Sequence, residues 1–279
     1  DWDIIFVDVT ADWEKMVKMH KSILAHTGNR IVTANKKPAA ADMQTFREIT
    51  WNPHRYRYNT TVMAGAGAVP YFQEAHWLSE EIISVEGTFS GTLAYVCSEL
   101  KKKKKPLSLI VREAQEKGYT EPHPIDELGG EDVRRKLIIL LRSAGISIEE
   151  DEVNLRGLID PRKYNSMDPQ AFLNSITQED ADMRARVEGA RKNWLVPRYV
   201  GSFKDGLAQV WLQFVPIDSD LGSLQWTANK VLIHTSQRTP EGSAPHVIQS
   251  PGAGVIKTAA AVRADLLYLL SGTNLWQHT

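Results

Sequence analysis

The chain has 279 residues, which at roughly 150 residues per domain corresponds to about two domains, and 42% of the residues are hydrophobic, enough for a sizeable core. Its 33 basic and 34 acidic side chains give a formal net charge of −1. The protein as a whole therefore has no electrostatic field that would attract nucleic acid or an anionic membrane. No apolar run approaches the roughly 18 residues of a membrane-spanning helix. The single cysteine, Cys97, fits a reducing compartment such as the cytoplasm. We therefore expect a cytoplasmic protein whose partner is a small molecule, with no nucleic acid and no membrane.

The first part of the chain has a pattern typical of an α/β sheet. Residues 3–9 (DIIFVDV) form an apolar, β-branched run that predicts a strand buried on both faces of a parallel sheet. Residues 11–26 have helical periodicity, with Gly28 near the C-terminal cap, and residues 30–35 (RIVTAN) predict a second strand. Because a doubly buried first strand needs a covering element, we expect a further part of this sheet upstream of residue 1.

The second part of the chain, from about residue 56, has longer segments. After a polar, strand-like stretch, the pattern predicts a strand at 81–89 and helices at 70–78, 91–103, 108–117 and 169–192. The most regular helix covers 131–144, where one apolar stripe is followed by Gly145. Four alternating segments predict a mainly antiparallel sheet: 197–203, 207–215, 228–235 and 246–249. A last helix is predicted at 258–270, directly after the sequence PGAG.

The most informative segment is GYTEPHPIDELGGEDVRRK, residues 118–136. Its first half is a proline-rich loop, and the two glycines allow a tight turn into the helix at 131–144. In that helix Asp132 and Lys136 are four residues apart and share one face. On spacing alone, a surface ion pair is the simpler interpretation.

Within this segment, GYTEP followed by DELGGEDVRRK resembles the signature of homoserine dehydrogenases. Three further blocks agree with that family in order and spacing: IVTANKKP (31–38), TTVMAG leading to VEGTFSGTLAYV (60–96), and PGAGVIKTAAAVRADLL (251–267). The resemblance implies an α/β fold with a truncated Rossmann-like nucleotide-binding domain, residues 1–55 completed by 251–279. It also implies an α+β catalytic and dimerisation domain at 56–250, and a homodimer.

The resemblance implies NADP- or NAD-dependent interconversion of L-aspartate 4-semialdehyde and L-homoserine, in threonine and methionine biosynthesis. In this family Lys136 would be the acid/base group, Lys36 would face it, and Asp132 would orient Lys136 and the substrate hydroxyl. Such groups suit the chemistry, because the aldehyde oxygen becomes an alkoxide that needs a proton or a cationic donor. A neighbouring lysine also lowers the pKa of an ammonium.

The resemblance also assigns binding residues. The substrate would contact Glu121, which would face its α-ammonium, together with Tyr119, Thr120, Asp126 and Glu127. The cofactor would contact Thr10, Asn35, Lys36, Gly252 and Gly254. A monovalent cation such as sodium would be held by the backbone carbonyls of Asn59, Val62, Ala64 and Ala66.

Two alternative functions compete with this hypothesis. Aspartate semialdehyde dehydrogenase needs a cysteine nucleophile, but Cys97 shares a predicted helix face with Leu93 and Leu100 and is better interpreted as a small core residue. The second alternative is a catalytically silent homologue that keeps the dimerising domain without cofactor binding. It is supported by the absence of a G-x-G-x-x-G turn from the chain, because TTVMAGAGAVP has proline where the third glycine belongs.

Overall fold

The computed structural model describes residues 4–10, 14–102, 104–120, 123–164, 166–225, 227–251 and 254–271. The strands are β1 Ile5–Asp8, β2 Arg30–Thr33, β3 Tyr56–Arg57, β4 Ile82–Thr88, β5 Val153–Leu155, β6 Leu195–Lys204, β7 Leu207–Pro216, β8 Ala228–Thr235 and β9 His246–Pro251. The helices are α1 Glu14–Leu24, α2 Lys36–Ala40, α3 Met43–Thr50, α4 Ala68–Trp77, α5 Gly91–Lys102, α6 Leu107–Glu116, α7 Ile125–Leu128, α8 Glu131–Ser143, α9 Pro169–Ser175, α10 Asp180–Arg191 and α11 Val255–Ser271. Among these residues, no helix combines the length and the apolar character that crossing a membrane requires.

The strands form two sheets, which agrees with the α/β fold class expected from the sequence. β1, β2 and β3 form a parallel sheet in that order. The other six strands form a sheet in the order β5-β7-β6-β4-β8-β9. Its neighbours are antiparallel except for β5 and β7, so the expected mainly antiparallel sheet is confirmed.

The expectation that the first strand is buried on both faces is wrong for the described chain. Val7 is 47% exposed and Val9, just after β1, is 66% exposed. The physical reason is that β1 is the edge strand of the described parallel sheet and packs mainly against β2, so the side chain of Val7 is left without a covering layer. β2 is the strand that the apolar pattern describes correctly, since Ile31 and Val32 are fully buried.

The polar stretch that begins near residue 56 is much less regular than expected. Only Tyr56 and Arg57 form a strand, β3, which completes the parallel sheet. Two single 3-10 turns follow, at Asn59–Thr61 and Met63–Gly65, with left-handed backbone at Met63 and Ala64. A short segment of unusual backbone therefore connects the two sheets.

The last helix, α11, packs against the parallel sheet and these turns. Asp265 is buried and accepts hydrogen bonds from Arg57 Nε at 3.2 Å and Asn59 Nδ2 at 2.6 Å. Arg30 Nη1 donates to the carbonyl of Leu269 at 2.9 Å. The helix is thus fixed to both ends of the sheet by buried and partly buried polar contacts. The domain boundaries at residues 55 and 251 stay a prediction.

Candidate active site

The helix α8 carries two of the expected catalytic residues, and its start is fixed by Gly130. This glycine has φ 82°, and a Cβ placed on it would clash with the hydroxyl oxygen of Tyr199. Only glycine fits both the backbone conformation and the close approach of the tyrosine. Asp132 then lies in the first turn of α8, where a carboxylate is favoured by the helix dipole.

Three charged side chains meet at this helix, and we call them the lysine–aspartate cluster: Lys36, Asp132 and Lys136. Lys136 Nζ lies 2.5 Å from Asp132 Oδ2, and Lys36 Nζ lies 3.2 Å from Asp132 Oδ1. Lys136 Nζ also donates a hydrogen bond to the carbonyl oxygen of Phe89 at 2.7 Å. One carboxylate thus joins two ammonium groups that are 100 residues apart in the sequence.

The electrostatics of the cluster suit an acid/base role. Burial lowers the pKa of Lys136, the neighbouring Lys36 adds to that lowering, and Asp132 opposes it. The net direction is downward, toward the range in which an amine exchanges a proton. Burial alone would raise the pKa of Asp132, but the two lysines outweigh it and hold that pKa well below its ordinary value. The carboxylate therefore stays ionised.

Lys36 reaches the cluster because of how α2 begins. Asn35 is the N-cap of this helix, and its side-chain oxygen accepts a hydrogen bond from Lys37 N at 3.1 Å. Asn35 Nδ2 donates to Thr10 Oγ1 at 3.4 Å. The two expected nicotinamide contacts, Thr10 and Asn35, are therefore brought together at the carboxyl ends of β1 and β2, where open α/β sheets bind their ligands.

The expected substrate loop is described only in part. Glu121 lies outside the described residues, and of Asp126 only the backbone, in α7, is described. The carbonyl of Tyr119 accepts a hydrogen bond from Thr92 Oγ1. The hydroxyl of Thr120 is buried and has no hydrogen-bond partner among the described residues, and Glu127 is partly buried on α7. The role of this loop in binding the substrate stays a prediction.

The expected cation loop is formed by the two 3-10 turns. Asn59, Val62, Ala64 and Ala66 lie on this compact segment, and within the described part of the chain the buried Asn59 Oδ1 has no hydrogen-bond partner. The backbone at Ala64 is left-handed (φ 50°, ψ 41°), so the segment departs from helical geometry at this residue. Within the described residues, no group of three or more His, Cys, Asp or Glu side chains could hold a metal ion.

The remaining expected cofactor residues are two glycines. Gly252 lies outside the described residues, and Gly254 directly precedes α11, where its carbonyl accepts a hydrogen bond from Thr258 N at 3.0 Å. Cys97, the candidate nucleophile of the competing function, is fully buried, and burial raises the pKa of its thiol to about 11. A thiol of that kind is a core residue and not a nucleophile.

Two contributors to the site were missed at the level of the sequence. The carbonyl of Phe89, which holds Lys136, has no side-chain signature that a sequence pattern could reveal. Thr92, which fixes the substrate loop at Tyr119, lies in the block SGTL at the start of α5. The sequence signal that could have indicated Thr92 is its place as a polar residue in the first helical turn after a strand.

Comparisons with known proteins identify the family to which the chain is similar. A family model described as homoserine dehydrogenase matches residues 72–267. The bifunctional aspartokinase/homoserine dehydrogenase of Haemophilus influenzae is 31% identical over 270 residues, which cover 95% of this chain and 32% of that protein. The homoserine dehydrogenase of Emericella nidulans is 32% identical over 282 residues, which cover 95% of this chain and 75% of that protein. The chain thus spans about a third of the bifunctional relative and three quarters of the monofunctional one.

Among solved structures, a hyperthermophilic archaeal homoserine dehydrogenase in complex with NADPH superposes with a TM-score of 0.72 at 22% identity, covering 96% of this chain and 72% of that one. At this identity the likeness shows the fold. The extent of the family match and the identity to the Emericella nidulans protein show more than the fold. The chain belongs to the homoserine dehydrogenase family.

Proposed function

We propose that the protein oxidises the hydroxyl of L-homoserine to L-aspartate 4-semialdehyde, and catalyses the reverse reduction, with NADP or NAD. The observation that carries this proposal is the lysine–aspartate cluster, in which a mostly buried lysine of lowered pKa is oriented by a carboxylate beside a second lysine. The reaction would serve threonine and methionine biosynthesis. The silent-homologue alternative is not supported, because all three charged groups of the cluster are present and in contact.

The residues at the carboxyl ends of the parallel strands fit a dinucleotide. Thr10 is exposed there, and Asn35 joins it through a hydrogen bond. NADP or NAD, when bound, supplies the hydride acceptor for the oxidation. The NADPH complex of the archaeal structural neighbour supports this choice of cofactor class.

Lys136 is the residue that handles the proton. In the oxidation its neutral amine would accept the proton of the substrate hydroxyl, and the bound NADP or NAD would take up the hydride from the carbon that carries this hydroxyl, so that the oxygen forms the aldehyde carbonyl. In the reduction the Lys136 ammonium returns the proton. Lys36 provides a positive charge that stabilises negative charge developing on the substrate oxygen. Asp132 orients both lysines through its two carboxylate oxygens.

The amino-acid end of the substrate is assigned to the loop before α8. Glu121 would pair with the α-ammonium, because a cation in a closed site needs an anionic partner, and Tyr119, Thr120, Asp126 and Glu127 would complete the contacts. The buried hydroxyl of Thr120, which has no hydrogen-bond partner among the residues that the structure describes, supports a ligand at this place.

Three further features belong to the proposal. The carbonyls of the 3-10 turns that follow β3 would hold a monovalent cation such as sodium, whose charge would stabilise the loop. A homodimer would form through the six-stranded sheet, where Leu232 and its strand partner Val247 share a face and Val247 is 43% exposed. A cytoplasmic location is supported by the single cysteine, which fits a reducing compartment.

The test is to assay the full-length protein for homoserine-dependent reduction of NADP and of NAD, followed by absorbance, with aspartate semialdehyde and NADPH for the reverse direction. We expect turnover in both directions. A second assay supplies aspartate semialdehyde, phosphate and NADP, the substrates of an acylating dehydrogenase. Activity in this assay alone, or activity in neither, would overturn the proposal.

A further inference from the structure

Beneath the carboxyl ends of β1 and β2 lies a group of buried polar side chains that we call the buried polar chain: Tyr56, His20 and Asp8. The Tyr56 hydroxyl lies 3.0 Å from His20 Nδ1, and His20 Nε2 lies 3.0 Å from Asp8 Oδ2. Tyr56 and His20 are each 1% exposed and Asp8 is 6% exposed. The three residues come from β3, α1 and β1, so the buried polar chain connects the two outer strands of the parallel sheet.

The buried polar chain ends on residues that face the proposed cofactor site. Thr10 donates two hydrogen bonds to Asp8 Oδ1, from its backbone N and from Oγ1, each at 2.8 Å. Thr33 Oγ1 donates to Asp8 Oδ2 at 3.3 Å and accepts from Asn35 N at 2.9 Å. Asp8 therefore connects the ends of both strands that carry the expected nicotinamide contacts.

The charge state of Asp8 determines which groups donate the hydrogen bonds around it. Burial would raise the pKa of Asp8, but the hydrogen bonds from His20 and Thr10 outweigh it and lower the pKa to about 2. An ionised carboxylate only accepts hydrogen bonds, so His20 Nε2 and the Thr10 hydroxyl must both donate to it. The Thr10 oxygen then keeps its lone pairs for Asn35 Nδ2, which lies 3.4 Å away.

The same arrangement reaches the lysine–aspartate cluster. Asn35 uses its side-chain nitrogen toward Thr10 and its side-chain oxygen toward Lys37 N, so its amide has one orientation only. That amide caps α2, whose first residue, Lys36, contacts Asp132. Burying a polar network of this kind costs desolvation free energy. If packing were the only role of these positions, apolar side chains would be sufficient.

We propose that His20 is a positioning residue of the dehydrogenase: by holding Asp8 from below, it fixes the Thr10 hydroxyl and the Asn35 amide for the nicotinamide end of the dinucleotide. This inference rests on the proposed function for the identity of the ligand. His20 itself does not touch the ligand, since Asp8 and Thr10 stand between them.

The test compares His20→Leu with wild type in the full-length enzyme. The dissociation constant for NADPH is measured by fluorescence titration, and KM for NADP and for homoserine by steady-state kinetics. Loss of a hydrogen bond to a charged group should raise the NADPH dissociation constant and KM for NADP by at least about fivefold, with KM for homoserine within about twofold of wild type. His20→Gln places an amide N–H near the Nε2 position and should restore most of the affinity.

A matched pair of tyrosines separates positioning from stability. Tyr56 and Tyr58 are both buried, and each loses one hydroxyl when changed to phenylalanine, but Tyr58 bonds to Ser143 and Gln73 instead of His20. Tyr56→Phe should weaken NADPH binding, whereas Tyr58→Phe should lower the melting temperature without changing the dissociation constant.

Unchanged NADPH affinity in His20→Leu, or equal weakening by Tyr56→Phe and Tyr58→Phe, would overturn the positioning role. Because the dissociation constant needs no turnover, an enzyme that binds NADPH without oxidising homoserine would contradict the proposed function, while the binding comparison would still decide the role of His20.

Discussion

Replacement of Lys136 by alanine is the sharpest test of the lysine–aspartate cluster. It removes a side chain that is 13% exposed, bonds to the Phe89 carbonyl and lies 2.5 Å from Asp132. The carboxylate is not left unpaired, because Lys36 remains 3.2 Å from its other oxygen. Losing a hydrogen bond made by a charged group costs about 1.5–3 kcal/mol of stability, less than the roughly 5–15 kcal/mol that holds a domain folded. The variant should therefore fold.

Its turnover should fall much further. Loss of an acid/base group lowers kcat by about 10² to 10⁴, which corresponds to roughly 2.7–5.4 kcal/mol of transition-state free energy. The assay is kcat for homoserine oxidation by the full-length enzyme at saturating substrate, with the NADPH dissociation constant and the melting temperature measured in parallel. We expect little change in cofactor affinity, because Lys136 acts on the substrate side.

Two controls make the result decisive. Lys230 is a comparable lysine outside the cluster, 11% exposed and 3.0 Å from Asp220, so Lys230→Ala should keep kcat near the wild-type value. Lys136→Arg keeps the positive charge but cannot give up a proton, and should remain as slow as the alanine variant. A kcat within about threefold of wild type in Lys136→Ala, or recovery by Lys136→Arg, would refute the acid/base role.

Two other substitutions in the cluster should shift the acid limb of the pH dependence of kcat for homoserine oxidation in opposite directions. Asp132→Asn removes the charge that raises the pKa of Lys136, so the limb moves to lower pH, whereas Lys36→Met removes a charge that lowers this pKa, so the limb moves to higher pH. Shifts of the same sign would assign the limb to another group. Gly130→Ala should destabilise the protein by about 2 kcal/mol or more in urea unfolding, because alanine is strained at φ 82° and its Cβ would meet Tyr199; an unchanged midpoint would contradict this.

The sequence by itself determined the elements whose pattern is local. The alternation of apolar and polar residues in 197–249 indicated a mainly antiparallel sheet, and an apolar stripe followed by Gly145 indicated the helix α8. Both patterns are local because burial on one face repeats at a fixed period within each element. The same local information failed at β1, since exposure there depends on which neighbours the strand has in the sheet. The short helices α2 and α3 were not foreseen.

The family resemblance implied that Lys36 faces Lys136, whereas spacing alone joined only Asp132 and Lys136. The tertiary structure supplies the physical basis of the Lys36 contact, because this contact requires α2 to pack against α8 across a separation of about 100 residues, which no periodicity records.

Tertiary structure also decided which groups support the site from behind. A backbone carbonyl such as that of Phe89 is the same in every residue type and leaves no trace in a sequence. The buried polar chain joins residues of β1, α1 and β3, and His20 lies in a helix where nothing distinguishes it from a surface histidine. Its role follows from burial and from the partners on both sides of its ring, and the fold alone supplies these.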